Sequence, residues 1–142
     1  MDMRQITPTY FVSPQVDPSD MAEAARLGIT TVICNRPDIE VPPPLQADAV
    51  EAAAKAAGLA FIRLPLTHTT MTPEVAASQA QFVAESAGPV LAYCASGTRC
   101  TVVWALGQAG KLPTDEILAA ARAGGYDLEN LRPTLDAIAA RA

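Results

Sequence analysis

The chain is poor in aromatic residues, positive charge, histidine and cysteine. Aromatics make up 5% of its 142 residues, so its core has to be packed mostly from small aliphatic groups. Alanine lifts the hydrophobic fraction to 50% without adding bulk. Lysine and arginine number 10 against 15 acidic residues, a formal charge of −5. That balance argues against a general nucleic-acid binder or a polybasic membrane-surface protein. No apolar run reaches the roughly 18 residues a transmembrane helix needs. The opening Met1–Gln5 lacks the basic and apolar regions of a signal peptide. Three cysteines are an odd number and too few for a disulfide framework. Together these features lead us to expect a cytoplasmic protein, in which a thiol is buried, metal-bound or reactive. The length fits one domain over residues 1–142, and about 68–70% of the unfolded surface of such a chain can be buried, enough to fold without staples.

What the chain does have is alternation. Ile6–Ser13 reads as a strand. Asp17-Pro18 then opens a helix to Leu27, which stops at Gly28. Ile29–Cys34 is a β-branched run and reads as a buried strand. The proline-rich stretch from Glu40 to Pro44 reads as irregular, because each proline removes a backbone donor. Gln46–Ala57 is an alanine-rich helix carrying Glu51 and Lys55 at i,i+4. Leu59–Leu64 follows as a strand, Thr72–Ser86 as a helix and Pro89–Tyr93 as a short apolar strand. Cys100–Ala109 reads as a buried helix, and Thr114–Ala123 and Leu128–Ala140 as two more. This order predicts an α/β fold with a mostly parallel central sheet flanked by helices.

In such sheets ligands gather at the carboxyl ends of the strands. Three segments should therefore converge: Asn35-Arg36-Pro37-Asp38, Leu66-Thr67-His68, and Cys94 through Arg99. The last, Cys94-Ala95-Ser96-Gly97-Thr98-Arg99, lies between an apolar strand and a buried helix. Its backbone N–H groups can form an anion-binding nest, and the helix turns its positive end the same way. A cysteine there has its thiolate stabilised, Gly97 permits backbone closed to other residues, and Arg99 is a permanently charged fork suited to oxyanions. The chemistry implied is thiolate attack on an atom that carries anionic oxygens. Cys94 and Arg99 are the candidate catalytic residues; Ala95, Ser96, Gly97, Thr98, Arg36 and His68 are candidates for substrate binding. Arg36 has a second reading, as a tie holding the proline-rich loop through Asp38 or Glu40. Ser96 either donates to the thiolate or fills the turn. Cys34 reads as core. Three cysteines and His68 lack the paired spacing of a zinc site, so neither metal nor cofactor is expected.

The loop resembles that of rhodanese-type sulfurtransferases and that of cysteine-based protein phosphatases. The resemblance extends to Asn35-Arg36-Pro37-Asp38-x-Glu40, Leu64-Pro65, Leu91 through Arg99, Trp104-Ala105-Leu106 and Ala123-Gly124-Gly125-Tyr126-Asp127-Leu128. All fit the bacterial phosphatase-like family found alone or as the first domain of beta-lactamase-hydrolase-like proteins. The resemblance implies a fold like that of dual-specificity phosphatases, roles in sulfane-sulfur metabolism and, in two-domain members, a partner resembling a persulfide dioxygenase. Cys100 departs from the family, which usually has serine after this arginine. It is either a resolving thiol for Cys94 or a small buried residue of the first helical turn.

Two features favour sulfur transfer. Four residues separate Cys94 from Arg99, one fewer than in the phosphatase pattern, and Pro65–Thr72 holds no aspartate to act as general acid. The expectation is therefore a sulfurtransferase that takes sulfur from a small anionic donor, thiosulfate or a low-molecular-weight persulfide, and passes it through a Cys94 persulfide to a thiol acceptor. The alternatives are a protein-tyrosine-phosphatase-like phosphatase, with Asp38 or His68 available as acid, and a persulfide or redox sensor using Cys94 and Cys100.

Overall fold

The computed structural model describes residues 1–142. Five strands form one sheet: β1 (Arg4–Thr7), β2 (Tyr10–Ser13), β3 (Thr31–Cys34), β4 (Ala60–Arg63) and β5 (Val90–Tyr93). Their order is β1-β2-β5-β3-β4, with only β1 antiparallel to its neighbour. Six α-helices cover it: α1 (Asp20–Arg26), α2 (Ala47–Ala56), α3 (Pro73–Glu85), α4 (Thr98–Gln108), α5 (Thr114–Ala123) and α6 (Arg132–Ala140). The predicted mostly parallel sheet between helical layers is the observed architecture. No helix is long and apolar enough to cross a membrane.

The two faces divide the core. Val32 and Cys34 of β3 and Leu91 and Tyr93 of β5 pack with Met21 and Ala24 of α1 and Val50 and Ala54 of α2. On the other face, Tyr10, Val12, Ile33 and Ala92 pack with Ala76 of α3, with Val103 and Trp104 of α4, and with Ile117 and Leu118 of α5. Strands β3 and β5 are buried along their whole length, as expected of a parallel sheet covered on both sides. The pleat sends alternate side chains to opposite layers, so Cys34 belongs to the α1–α2 layer and Cys94 to the other.

Four local expectations are corrected. Ile6–Ser13 is two strands, because Pro8 breaks the ladder and a tight turn pairs Thr7 with Tyr10. The prolines do not prevent regular structure: Asp38–Glu40 and Pro43–Leu45 are single 3-10 turns. In the second of these, prolines occupy positions whose N–H groups need no partner, and Leu45 and Gln46 donate to Pro42 and Pro43. Helix α4 starts at Thr98, two residues before the expected Cys100. The last helix starts at Arg132, after a 3-10 turn at Glu129–Leu131.

The caps largely follow the sequence. Gly28 and Gly58 end α1 and α2 with positive φ. Thr72 accepts from the Val75 N–H at 3.2 Å at the start of α3. Helix α1 starts at Asp20 rather than at the expected Pro18; Asp17 instead accepts from the Ser19 N–H and hydroxyl, while Asp20 accepts from the Asp17 N–H, so the turn before α1 is bonded in both directions. Glu51 pairs with Lys55 at 3.3 Å as predicted, and also takes Arg63 of β4 at 2.6 Å.

Candidate active site

Cys94 follows β5 directly and is 1% exposed. Its N–H donates to Ser13 O and the Gln15 N–H donates to Ala95 O, which ties the start of the loop to the end of β2. The chain then turns through Gly97, whose φ of +90° places it at the cap of α4. That turn aims the Gly97 N–H at Cys94 Sγ, 3.1 Å away. Tyr126 braces the turn from outside by donating to Ser96 O at 2.8 Å. A Cβ at position 97 would run into the Tyr126 hydroxyl. Gly97→Ala therefore combines an unfavourable left-handed backbone, about 1–2 kcal/mol by itself, with a steric clash. Its melting temperature should fall by several degrees or more in a thermal melt; an unchanged melt would contradict this reading of the turn.

The thiol is strongly acidified, to about 5. The first cause is a hydrogen bond from the Cys100 thiol, followed by the backbone N–H groups of Cys100, Ser96 and Gly97, all acting against burial. Cys100 lies fully buried in the first turn of α4, where burial and the neighbouring thiolate push its own pKa far up, so it stays a protonated donor. Cys100 is buried in the first turn of α4 with its thiol free, the position that both readings of it share, and there its S–H lowers the Cys94 pKa. Removing that donor in Cys100→Ala should raise the pH midpoint for Cys94 alkylation by roughly 1–2 pH units, the equivalent of a hydrogen bond to a charged group. Cys100→Ser should keep most of the effect. Iodoacetamide rates measured against pH distinguish the two variants, and identical profiles for wild type and Cys100→Ala would refute the role.

Ser96 fills the turn: its hydroxyl donates to Thr98 Oγ1 at 2.9 Å, and the Thr98 N–H returns to Ser96 Oγ. Ala95, Ser96 and Thr98 are exposed around the mouth of the loop. The hydrogen bonds of Arg99 go elsewhere than to the thiolate. Its guanidinium donates to Glu40 through two nitrogens, at 2.7 and 2.8 Å, and to Leu66 O at 2.8 Å. Arg36 donates to the same Glu40 carboxylate at 3.2 Å and to Gln15 Oε1 at 3.3 Å. Two arginines thus share one carboxylate, whose pKa they lower, Arg99 first. The arrangement leaves a net positive charge beside the thiolate. Arg36 is therefore the loop tie the sequence offered as its second reading, and it is also adjacent to Arg99 through Glu40.

Neither candidate acid is hydrogen-bonded to the cysteine loop. Asp38 Oδ1 accepts the Ala47 N–H at 2.8 Å, which caps α2. His68 is exposed in the Thr67–Thr70 turn, and no hydrogen bond connects it to the cysteine loop. Cys34 donates to Arg36 O at 3.3 Å and is buried, as read from the sequence.

The residues that the sequence did not reveal are those that hold the site from behind. Asn35 and Gln79 exchange side-chain hydrogen bonds at 2.8 and 3.0 Å. Asn35 also donates to Leu64 O, and Gln79 donates to the Tyr10 hydroxyl, which donates to Cys100 O at 2.7 Å. This fully satisfied buried chain links the end of β3 and α3 to the first turn of α4. Only Asn35, at a strand end, drew attention in the sequence.

The profile of the family described as "Beta-lactamase hydrolase-like protein, phosphatase-like domain" matches residues 2–111. The chain belongs to that family. The phosphatase-like domain is 34% identical over 130 residues to the beta-lactamase hydrolase-like protein of Xylella fastidiosa strain Temecula1, covering 90% of this chain and 30% of that protein. It thus spans about a third of the length of such curated relatives. A solved structure from Neisseria meningitidis, provisionally assigned as a phosphatase, superposes with a TM-score of 0.86 at 34% identity, covering 97% of this chain and 99% of that one. The fold is also that of Tk-PTP, with a TM-score of 0.75 at 18% identity over 99% of this domain and 98% of that chain.

These comparisons overturn the expectation of a sulfurtransferase and, with it, of a thiosulfate or persulfide donor: family and structural relatives alike are phosphatase-like. The physical reason for the misreading lies in the loop count. Thr98 and Arg99 already belong to α4, and Arg99 is aimed by Glu40 and Leu66 O. The number of residues between cysteine and arginine therefore says little about what the mouth admits.

Proposed function

We propose that the phosphatase-like domain is a cysteine-dependent phosphatase of aryl phosphomonoesters, the class that includes phosphotyrosine. The observation that carries this reading is a thiol acidified to about 5 at the floor of an amide-lined turn, where α4 begins. Cys94 Sγ attacks phosphorus, an S–P bond forms and the P–O bond to the leaving group breaks. Water then attacks phosphorus, releasing phosphate and the thiolate. The N–H groups of the turn and the N-terminus of α4 stabilise charge on the phosphoryl oxygens. Those oxygens compete with Glu40 for Arg99, so substrate entry exchanges one bidentate anion for another.

Asp38 is engaged in capping α2 and Glu40 is held ionised by two arginines, so neither carboxyl group is available to protonate the departing oxygen. The domain should accordingly favour substrates that leave as stable anions. Turnover of 4-nitrophenyl phosphate should exceed that of phenyl phosphate by roughly 10²–10⁴-fold, the advantage a general acid would otherwise level. A series of substituted phenyl phosphates, followed by phosphate release, tests this. A flat series would contradict the acid-free mechanism, and no release from any member would contradict the function.

A further inference from the structure

The buried side chains behind the cysteine loop form a chain with a direction. Leu64 O can only accept, so the Asn35 amide must turn its NH2 toward it, at 2.8 Å. The second Asn35 N–H donates to Gln79 Oε1 at 2.8 Å, and Asn35 Oδ1 accepts from Gln79 Nε2 at 3.0 Å. Gln79 thereby keeps its other N–H for the Tyr10 hydroxyl oxygen, at 3.0 Å. A hydroxyl that accepts on that side has its single proton left for Cys100 O, at 2.7 Å. All the side-chain N–H groups of both amides are used. A flipped Gln79 would draw the Tyr10 proton to itself and release Cys100 O. Asn35, Gln79 and Tyr10 are at most 1% exposed, so no solvent replaces a lost partner. The backbone of Asn35 reaches the other half of the site. Its N–H donates to Tyr93 O, next to Cys94, and its carbonyl accepts from Leu66, whose own carbonyl holds Arg99.

Cys100 gives Cys94 two hydrogen bonds, from its S–H and its N–H. We infer that Asn35, Gln79 and Tyr10 are positioning residues for the nucleophile: by fixing Cys100 O, they hold Cys100 with both donors turned toward Cys94 Sγ. This role rests on the phosphatase reading for the reaction it serves, while its geometry stands without it. A carbonyl at one end of a residue cannot shift without moving the N–H and side chain of that residue, so loosening Cys100 O loosens both donors. Tyr10 itself is neutral, because burial pushes its pKa far up. The other titratable or charged groups near Cys94 are Arg99 and Cys100 of α4 and Tyr126 beyond α5. Removing the Tyr10 hydroxyl or the Gln79 amide alters none of these charges; it changes only how Cys100 is held.

Iodoacetamide alkylation of Cys94, followed across pH by peptide mapping of the full chain, reads the thiolate without any substrate. Tyr10→Phe and Gln79→Met should each raise the alkylation midpoint by about 0.5–1 pH unit, the equivalent of one neutral hydrogen bond and less than the loss of the Cys100 thiol itself. The acid limb of kcat/KM for 4-nitrophenyl phosphate should move in step. In a Cys100→Ala background the Tyr10→Phe shift should shrink, because one of the two positioned donors is gone. Ile117→Val, a core change on α5 outside the chain of hydrogen bonds, controls for general loosening. It should lower the melting temperature and leave the midpoint where it is. Gln79→Met interrupts the chain one bond before Tyr10, so it decides the matter if Tyr10→Phe does not fold. The inference is overturned if a folded variant titrates as wild type, if Ile117→Val shifts the midpoint as far, or if the Tyr10→Phe shift is undiminished without the Cys100 thiol. Because alkylation needs no phosphate ester, a wild type that releases no phosphate fails the function alone, and an unchanged profile in an active enzyme fails the positioning alone.

Discussion

Cys94→Ser is expected to lower aryl phosphate turnover by roughly 10³-fold or more, the scale seen when a covalent nucleophile is removed. Size is not the reason, since a serine hydroxyl still fits beneath the Gly97 N–H. The loss comes from ionisation. The wild-type thiol is held at about 5 by the Cys100 S–H and the turn amides, so at neutral pH it is almost wholly thiolate. A serine hydroxyl in the same place stays protonated and is a poor nucleophile. The sign of the pH dependence follows: the attacking species forms as pH rises through about 5, so kcat/KM should climb over that range and level off above it. KM should change much less than kcat in Cys94→Ser, because the groups that bind phosphate remain. A variant with wild-type turnover would remove the thiolate from the mechanism.

Arg99→Lys should lower kcat/KM by roughly 10²–10³-fold, comparable to removing a positioned donor from an anion-stabilising site. Lysine keeps the charge but not the fork. Arg99 makes three hydrogen bonds from one planar group, two to Glu40 and one to Leu66 O. A single ammonium cannot hold that position and also offer a second pair of donors to phosphate. Glu40→Gln separates the two roles of the carboxylate. Without its charge, phosphate meets less competition for Arg99, so KM should fall. Without its bidentate hold, Arg99 is less well aimed, so kcat should fall as well. A raised KM, or an unchanged kcat, would contradict the shared-carboxylate account. The Glu40 pKa lies below the ordinary carboxylate value. Its contribution to stability is therefore complete above about pH 4.3 and fades only as pH falls through the lowered value. Neutral-pH assays of the wild type see the clamp intact.

The parallel sheet was legible because its signals are local. The β-branched run ending at Cys34, the stops at Gly28 and Gly58 and the Thr72 cap each act within a few residues. The convergence of three loops followed from topology, and the Arg99–Leu66 and Leu66–Asn35 hydrogen bonds bear it out. The errors arose where one residue served two purposes. Pro8 sits inside a stretch that reads as one strand yet turns the chain. Gly97 reads as a loop glycine yet caps α4. Asp38 reads as a floating acid yet its carboxylate is used by α2. The Glu40–Arg99 pair spans 59 positions, and nothing in either segment announces the other. The choice between sulfur and phosphoryl transfer went astray because it rested on a residue count and a missing aspartate rather than on how Arg99 is held.

The most direct test of the central claim is to trap the covalent intermediate. Reduced protein is mixed with 4-nitrophenyl phosphate, quenched in acid within the first turnover, and its intact mass read. Wild type should gain one phosphoryl group, mapped to the peptide containing Cys94, and Cys94→Ser should gain none. Phosphate release by the wild type with no adduct at Cys94, or with the adduct on another residue, would contradict the account.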